Sequence, residues 1–163
     1  KKYNKILKKW ISNELAINAE LLYRFTRDGD KVSTFHELCD NKGPTLTIFH
    51  VTDGNIGGIY TPSSWDTISS TKYDKETFMF NLNNNLIFKN ISENKAIWCT
   101  DDFGPWTLCF GFNQTMKKIE HRGIKIDKSY ENGSKILPNN SNETKYFDVI
   151  EVEVFKISIN KGK

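Results

Sequence analysis

Residues 147–157 (FDVIEVEVFKI) constrain the fold more than any other segment of the chain. Their polar and apolar residues alternate with period two, the repeat of a strand rather than of a helix. Ile150, Val152 and Val154 fall on one side; Val149, Glu151, Glu153 and Phe155 fall on the other. Residues 45–51 (TLTIFHV) repeat the pattern, with Leu46, Ile48 and His50 opposite Thr47, Phe49 and Val51. Asp53-Gly54 is a strong hairpin signal, and residues 56–61 (IGGIYT) supply the returning strand. Gly57 and Gly58 inside that strand point to a bulge or to close packing beneath an aromatic such as Trp65. Residues 76–82 and 86–90 form a second pair, and 95–100 with 106–112 a third. The chain holds eleven Phe, six Tyr and four Trp, and such residues favour strands.

Two helices precede the strands. Over residues 4–17, Leu7, Trp10, Ile11 and Leu15 mark one apolar face. Over 33–40, Thr34 and Glu37 have capping-box spacing, and Gly43 with Pro44 terminates the helix. Residues 62–75 read as a polar loop around Trp65. Residues 123–146 read as a long surface loop, with a short strand at Ile124 and Ile126. The order predicts an α+β fold: two packed, mostly antiparallel β-sheets in a sandwich, with flanking helices and the N-terminal helices first. The 163 residues make a single domain. Its N-terminal helical region is 1–20, its sandwich core 21–157 and its tail 158–163.

Charge and cysteine content narrow the function classes. The net charge is +3, yet Lys1, Lys2, Lys5, Lys8 and Lys9 crowd the first nine residues, which leaves the remainder close to neutral. A nucleic-acid binder should instead carry a basic stripe on its folded body. A contact of Lys1–Lys9 with nucleic acid or an anionic membrane is the reading that this cluster keeps open. Three cysteines, Cys39, Cys99 and Cys109, make no disulfide framework and suit a reducing, cytoplasmic compartment. No apolar run reaches the ~18 residues of a membrane span. A start at Lys1 suggests a piece of a longer chain. The sequons at Asn90, Asn113, Asn132, Asn139 and Asn142 follow from the abundance of Asn.

Several residues invite a functional reading. Glu151 and Glu153 share one strand face about 6.6 Å apart, a spacing open to acid/base chemistry, to a cation, to a protein partner or to pairing with Arg24 or Arg27. A cryptic redox or hydrolytic enzyme would use Glu151, Glu153 and His36. His36 and Cys39, with Cys99 and Cys109, would be a zinc set by composition, but the tight Cys-x-x-Cys pairs of such sites are missing. Cys39, close to a helix C-terminus, is not placed for reactivity. No nucleophile elbow and no phosphate loop occurs, so the reading carries no catalytic residue, no metal and no cofactor. Arg27-Asp28-Gly29 reads as a turn that offers Arg27 and Asp28 for ion pairing.

An ordered series of motifs resembles the TLDc family. It comprises Leu21-Leu22-Tyr23-Arg24, then Arg27-Asp28-Gly29, then Phe35-His36. Cys39-Asp40-Asn41-Lys42-Gly43-Pro44-Thr45-Leu46 follows. Gly57-Gly58 with Tyr60-Thr61, Ser64-Trp65, Phe78-Met79-Phe80-Asn81-Leu82 and Ile150-Glu151-Val152-Glu153-Val154-Phe155 complete it. The likeness spans residues 5–157. Residues 107–116 follow the family pattern only loosely, and the loop 127–146 is this chain's own. The resemblance implies a two-sheet sandwich bordered by helices and a non-catalytic protein-interaction module. It also implies a link to oxidation resistance and oxidative-stress protection, and to membrane traffic. Its expected partners are subunits of the vacuolar proton-pumping ATPase, met in the cytoplasm or at organelle membranes. Glu151, Glu153, Arg27, Asp28, Gly57, Gly58 and Trp65 are the candidate contact residues, and the loops 62–75 and 127–146 the candidate contact surfaces.

Overall fold

The computed structural model of the chain describes residues 3–12, 16–93, 95–107, 110–123, 130–139 and 141–160, with Ser134 as backbone alone. The helix α1 (Asn4–Ile11) is followed by strand β1 (Ala16–Arg24), the single turn α2 (Phe25–Asp28) and the helix α3 (Val32–Cys39). Strands β2 (Thr45–Val51), β3 (Ile56–Thr61), β4 (Ser70–Lys72), β5 (Phe78–Asn81) and β6 (Leu86–Lys89) come next. The chain then forms β7 (Ile97–Cys99), β8 (Phe103–Trp106), β9 (Phe110–Asn113), β10 (Lys118–His121) and the long β11 (Lys145–Asn160). Among the described residues no helix is long and apolar enough to cross a membrane.

β11 belongs to two antiparallel sheets. The first runs β6-β5-β3-β2-β11 and gains β1 on β11; the second runs β11-β10-β9-β8. Residues 145–148 of β11 pair with β10, residues 149–156 with β2 and residues 153–160 with β1. The two sheets pack on one core. Phe49, Val51, Ile59, Met79, Val152 and Val154 come from the first sheet, and Phe110, Phe112 and Ile119 from the second. The Phe49 and Phe110 rings meet 5.4 Å apart. Val32, Phe35 and Cys39 of α3 join that core. A second apolar cluster lies on the other face of the first sheet. There Leu46, Tyr60, Phe78, Phe80 and Ile157 meet Leu7, and Ile6, Trp10 and Ile11 pack against them. The result is an α+β sandwich with its N-terminal helix first.

The alternation of β2 is the one expected: Thr47, Phe49 and Val51 are buried between the sheets, with Leu46 and Ile48 on the outer cluster. In β11 a bulge corrects the reading. Val149 pairs with Val51 and Glu151 with the adjacent His50, so Ile150 is an extra residue. It is 46% exposed, while Val149 enters the core beside Val152 and Val154.

Other expectations change for reasons of pairing. The first helix does not reach residue 17. It stops at Ile11, and Ala16 to Arg24 ladder onto Asn160 to Glu153 instead. Those cross-strand bonds outweigh local helix propensity. Leu15 lies outside the described residues. α3 starts at Val32 with Lys31 as its cap and no side-chain cap bond, so Thr34 and Glu37 form no capping box. The third strand pair is rearranged. β7 pairs with β4, a strand inside the 62–75 segment, while β8 and β9 make their own hairpin. β10, a strand at 118–121, was not expected.

Part of the segment 123–146 packs inward. Tyr130, Ile136, Leu137 and Asn139 are buried. The Tyr130 hydroxyl donates to Ala96 O at 2.6 Å, and Asn81 Nδ2 donates to Ile136 O at 2.9 Å. The expected strand at Ile124 and Ile126 falls outside the described residues, as does Cys109.

Candidate functional site

The site forms where β1 ends. Gly29, at φ +90°, turns the chain after α2 and returns its N–H to Phe25 O at 2.9 Å. The Asp28 carboxylate closes the same turn from inside, accepting the Arg24 backbone N–H at 2.8 Å. The buried Tyr23 hydroxyl donates to Gly29 O and ties the end of the turn to β1. Burial, followed by the nearby Asp28 charge, pushes the Tyr23 phenol far above its ordinary range, so it remains a donor.

The two glutamates of β11 brace this turn from the neighbouring strand. Glu153 lies directly across from Arg24 in the β1–β11 register and accepts from its Nε and Nη2 at 3.1 and 2.7 Å. Glu151 lies beyond the end of that ladder. It accepts from the Thr26 N–H at 3.2 Å, from the Thr26 hydroxyl and from the Val152 N–H at 3.1 Å. A carboxylate at the first turn of a helix meets N–H groups that have no partner within it. Arg27 folds back on its neighbour, with Nε 2.8 Å and Nη2 2.9 Å from the two Asp28 oxygens, and Nη2 also donates to Leu22 O. Each carboxylate therefore has its own donors, and Thr26 and Arg27 are left exposed on a braced turn.

The Arg27 hydrogen bond holds the Asp28 carboxyl below the ordinary carboxylate range; partial burial opposes it, and the Arg24 N–H adds to it. A carboxyl whose folded value is depressed stabilises the fold above its unfolded value, near 3.9. That contribution is lost as pH falls through the folded value. In an NMR pH titration Asp28 should titrate below the ordinary aspartate value, and Arg27→Ala should move it upward. An Asp28 that titrates identically with and without Arg27 would remove this pairing.

Of the other sequence candidates, none joins this cluster. Gly57 and Gly58 sit in the middle of β3, with unbroken pairing to β2 and β5 and no bulge. A methyl at Gly57 would come 2.5 Å from Phe80 O and 2.8 Å from the Phe49 ring. One at Gly58 would overlap Thr47 O and come 2.6 Å from the Phe80 ring. The close-packing expectation holds, but the aromatics are Phe49 and Phe80 rather than Trp65. Trp65 is 1% exposed, donates from Nε1 to Thr45 Oγ1 at 2.9 Å and packs edge-on to Phe35. A buried side chain of this kind cannot be touched by a partner.

His36 is buried between Asp40 Oδ1, 2.7 Å from its Nδ1, and Phe103 O, 2.8 Å from its Nε2. Among the described residues no bond links it to Glu151 or Glu153. Cys39 is fully buried, and burial, reinforced by Asp40, drives its thiol strongly upward; burial raises the Cys99 thiol too. Both should resist alkylation in the folded protein and react fast once it is denatured, as mass spectrometry would read. Rapid labelling of Cys39 under native conditions would contradict its burial.

The sequence pointed to Arg24 as a partner for the acids, but not to Thr26. Its contact with Glu151 depends on where the β1 ladder stops, which no residue spacing announces. A family model, the TLDc domain, matches residues 1–158. The chain belongs to the TLDc family. No curated protein matches it. The segments Leu21-Leu22-Tyr23-Arg24, Arg27-Asp28-Gly29 and Ile150-Glu151-Val152-Glu153, which carry the resemblance in the sequence, meet at one place: the end of β1, the α2 turn and the middle of β11.

Proposed function

We propose that this TLDc domain works through protein contact rather than chemistry. It serves as a non-catalytic module in oxidative-stress protection, acting in the cytoplasm or at the surface of organelle membranes. Its partner in this reading is the vacuolar proton-pumping ATPase, whose assembly or activity the contact regulates. The observation that supports the reading is the use of Glu151 and Glu153 as braces. Both carboxylates are engaged by Arg24, Thr26 and the backbone, and what they hold outward is an exposed turn, α2, with Arg27 at its tip. Binding residues work best on loops fixed by a rigid scaffold, because little order is then lost on association. The 62–75 segment adds a second exposed surface, with Ile68 77% and Tyr73 48% exposed.

Affinity capture from cytosol and solubilised membranes tests this. Wild-type domain should retain subunits of the proton-pumping ATPase, and Arg27→Glu, folded by circular dichroism, should lose them. Charge reversal at an interface commonly costs several kcal/mol through like-charge contact. Recovery of the subunits undiminished by Arg27→Glu would move the contact away from α2. Failure of the wild type to retain them would reject the partner.

A further inference from the structure

His36 takes no part in the α2 site. It is 7% exposed, on the last turn of α3. Its Nδ1 lies 2.7 Å from Asp40 Oδ1, and its Nε2 lies 2.8 Å from Phe103 O at the start of β8. Both neighbours are acceptors. The carbonyl has no proton to give, so Nε2 carries one and donates it. A bare Nδ1 at the other contact would set its lone pair against that of a carboxylate oxygen in a buried site. One further proton therefore lies between Nδ1 and Oδ1, and it belongs to the pair rather than to either residue.

The remaining charged groups near the ring do not replace that proton. Asp66, from the 62–75 segment, is within electrostatic reach of His36 and is paired with Lys72 Nζ of β4 at 2.5 Å. Cys39 of α3 and Cys99 of β7 are buried thiols whose ionisation burial opposes. Glu37, Lys42, Asp101 and Asp102 are exposed. The pair also sits where three segments join. The Asp40 N–H closes α3 on His36 O at 3.1 Å, and Asp40 and Asn41 bridge to Trp65, with Asn41 N 3.0 Å from Trp65 O. On the third side the Phe103 ring stacks on Trp106 at 4.8 Å.

We propose that His36, Asp40 and the Phe103 carbonyl form a proton-dependent clasp that fastens the end of α3 to the second sheet. While the shared proton is present, both ring nitrogens are bonded. When it passes to water, one proton remains for two acceptors. The ring then keeps either Phe103 O or Asp40 and turns a bare nitrogen to the other. A buried contact becomes repulsive, and the end of α3 loosens from β8. Asp40→Asn removes the dependence: its amide NH2 donates to Nδ1 while Nε2 keeps Phe103 O, with no extra proton. The inference does not depend on the protein partner proposed above.

Native-state hydrogen exchange of the whole chain, followed by NMR from about pH 6 to about pH 9 and corrected for intrinsic base catalysis, tests the clasp. An opening that lets one proton go shifts tenfold per pH unit above the ordinary imidazole value, about 6.5. Protection of the Asp40 amide in the wild type should therefore fall by about tenfold or more across the range. In Asp40→Asn it should stay level. So should it in His36→Gln, the second variant, which has no titrating ring. The Val51 amide, bonded to Asn55 O in the β2–β3 hairpin, is the internal control and should change far less. A level wild-type profile at Asp40 would overturn the proposal whichever variants fold. A fall of equal size in either variant, or at Val51, would overturn it too.

Discussion

Gly58→Ala should destabilise the domain by about 3 kcal/mol or more, a loss near the upper end of overpacking effects. The added methyl would overlap the Thr47 carbonyl oxygen and reach 2.6 Å from the Phe80 ring. A ring can turn, but the carbonyl is part of the β2 backbone in the centre of the first sheet, where Thr47 pairs with both Ile59 and Val154. Relief therefore requires two strands to separate. A domain of this size loses roughly 2–4 °C of Tm per kcal/mol, so thermal unfolding should shift by about 6–12 °C. Gly54→Ala is the control: Gly54 has φ +91° and open space around it, so it carries backbone strain alone, about 1 kcal/mol. Equal effects at the two glycines would mean that β2 and β3 can move apart freely.

Trp65→Ala should cost about 3–5 kcal/mol, the range for removing a buried aromatic, and Trp65→Phe about 1–2 kcal/mol. The alanine leaves a cavity against Phe35. The phenylalanine keeps much of the bulk but strips Thr45 Oγ1, on a residue only 1% exposed, of its indole donor. Denaturant unfolding would read both losses. At a temperature where Trp65→Phe remains folded, its affinity for a partner should equal that of the wild type, because the indole lies inside the domain. A selective loss of partner binding without loss of stability would restore Trp65 as a contact residue.

Much of the architecture is legible in the sequence because its strands are half-buried. Leu46/Ile48 against Phe49/Val51 separate cleanly into the outer cluster and the inter-sheet core. Asp53-Gly54 fixes the β2–β3 hairpin through a local turn rule. What stays hidden depends on pairing between distant segments. The apolar helical spacing that begins at Leu7 runs on to Leu15, yet Asn160 and Ile159 claim the adjoining Ala16 and Ile17 as strand partners. Ile150 fits the alternation of β11 until the bulge turns it outward. Tyr130, Ile136 and Leu137 have no strand or helix period, so nothing in their spacing reveals that Ala96 and Asn81 draw them inward. At the site, the acids on β11 call for partners because half-buried carboxylates are costly alone. Arg24 could be named on that ground. The separation of His36 from the glutamates could not, since it depends on Asp40 and the Phe103 carbonyl occupying both ring nitrogens.

The decisive measurement is a binding titration of purified vacuolar proton-pumping ATPase with two forms of the domain: wild type and Arg27→Glu. If α2 is the protein-contact surface, wild type should bind saturably and Arg27→Glu should weaken binding at least about tenfold. Wild type that does not bind, or Arg27→Glu that binds as tightly as wild type, would contradict the braced turn as the site through which this TLDc domain acts.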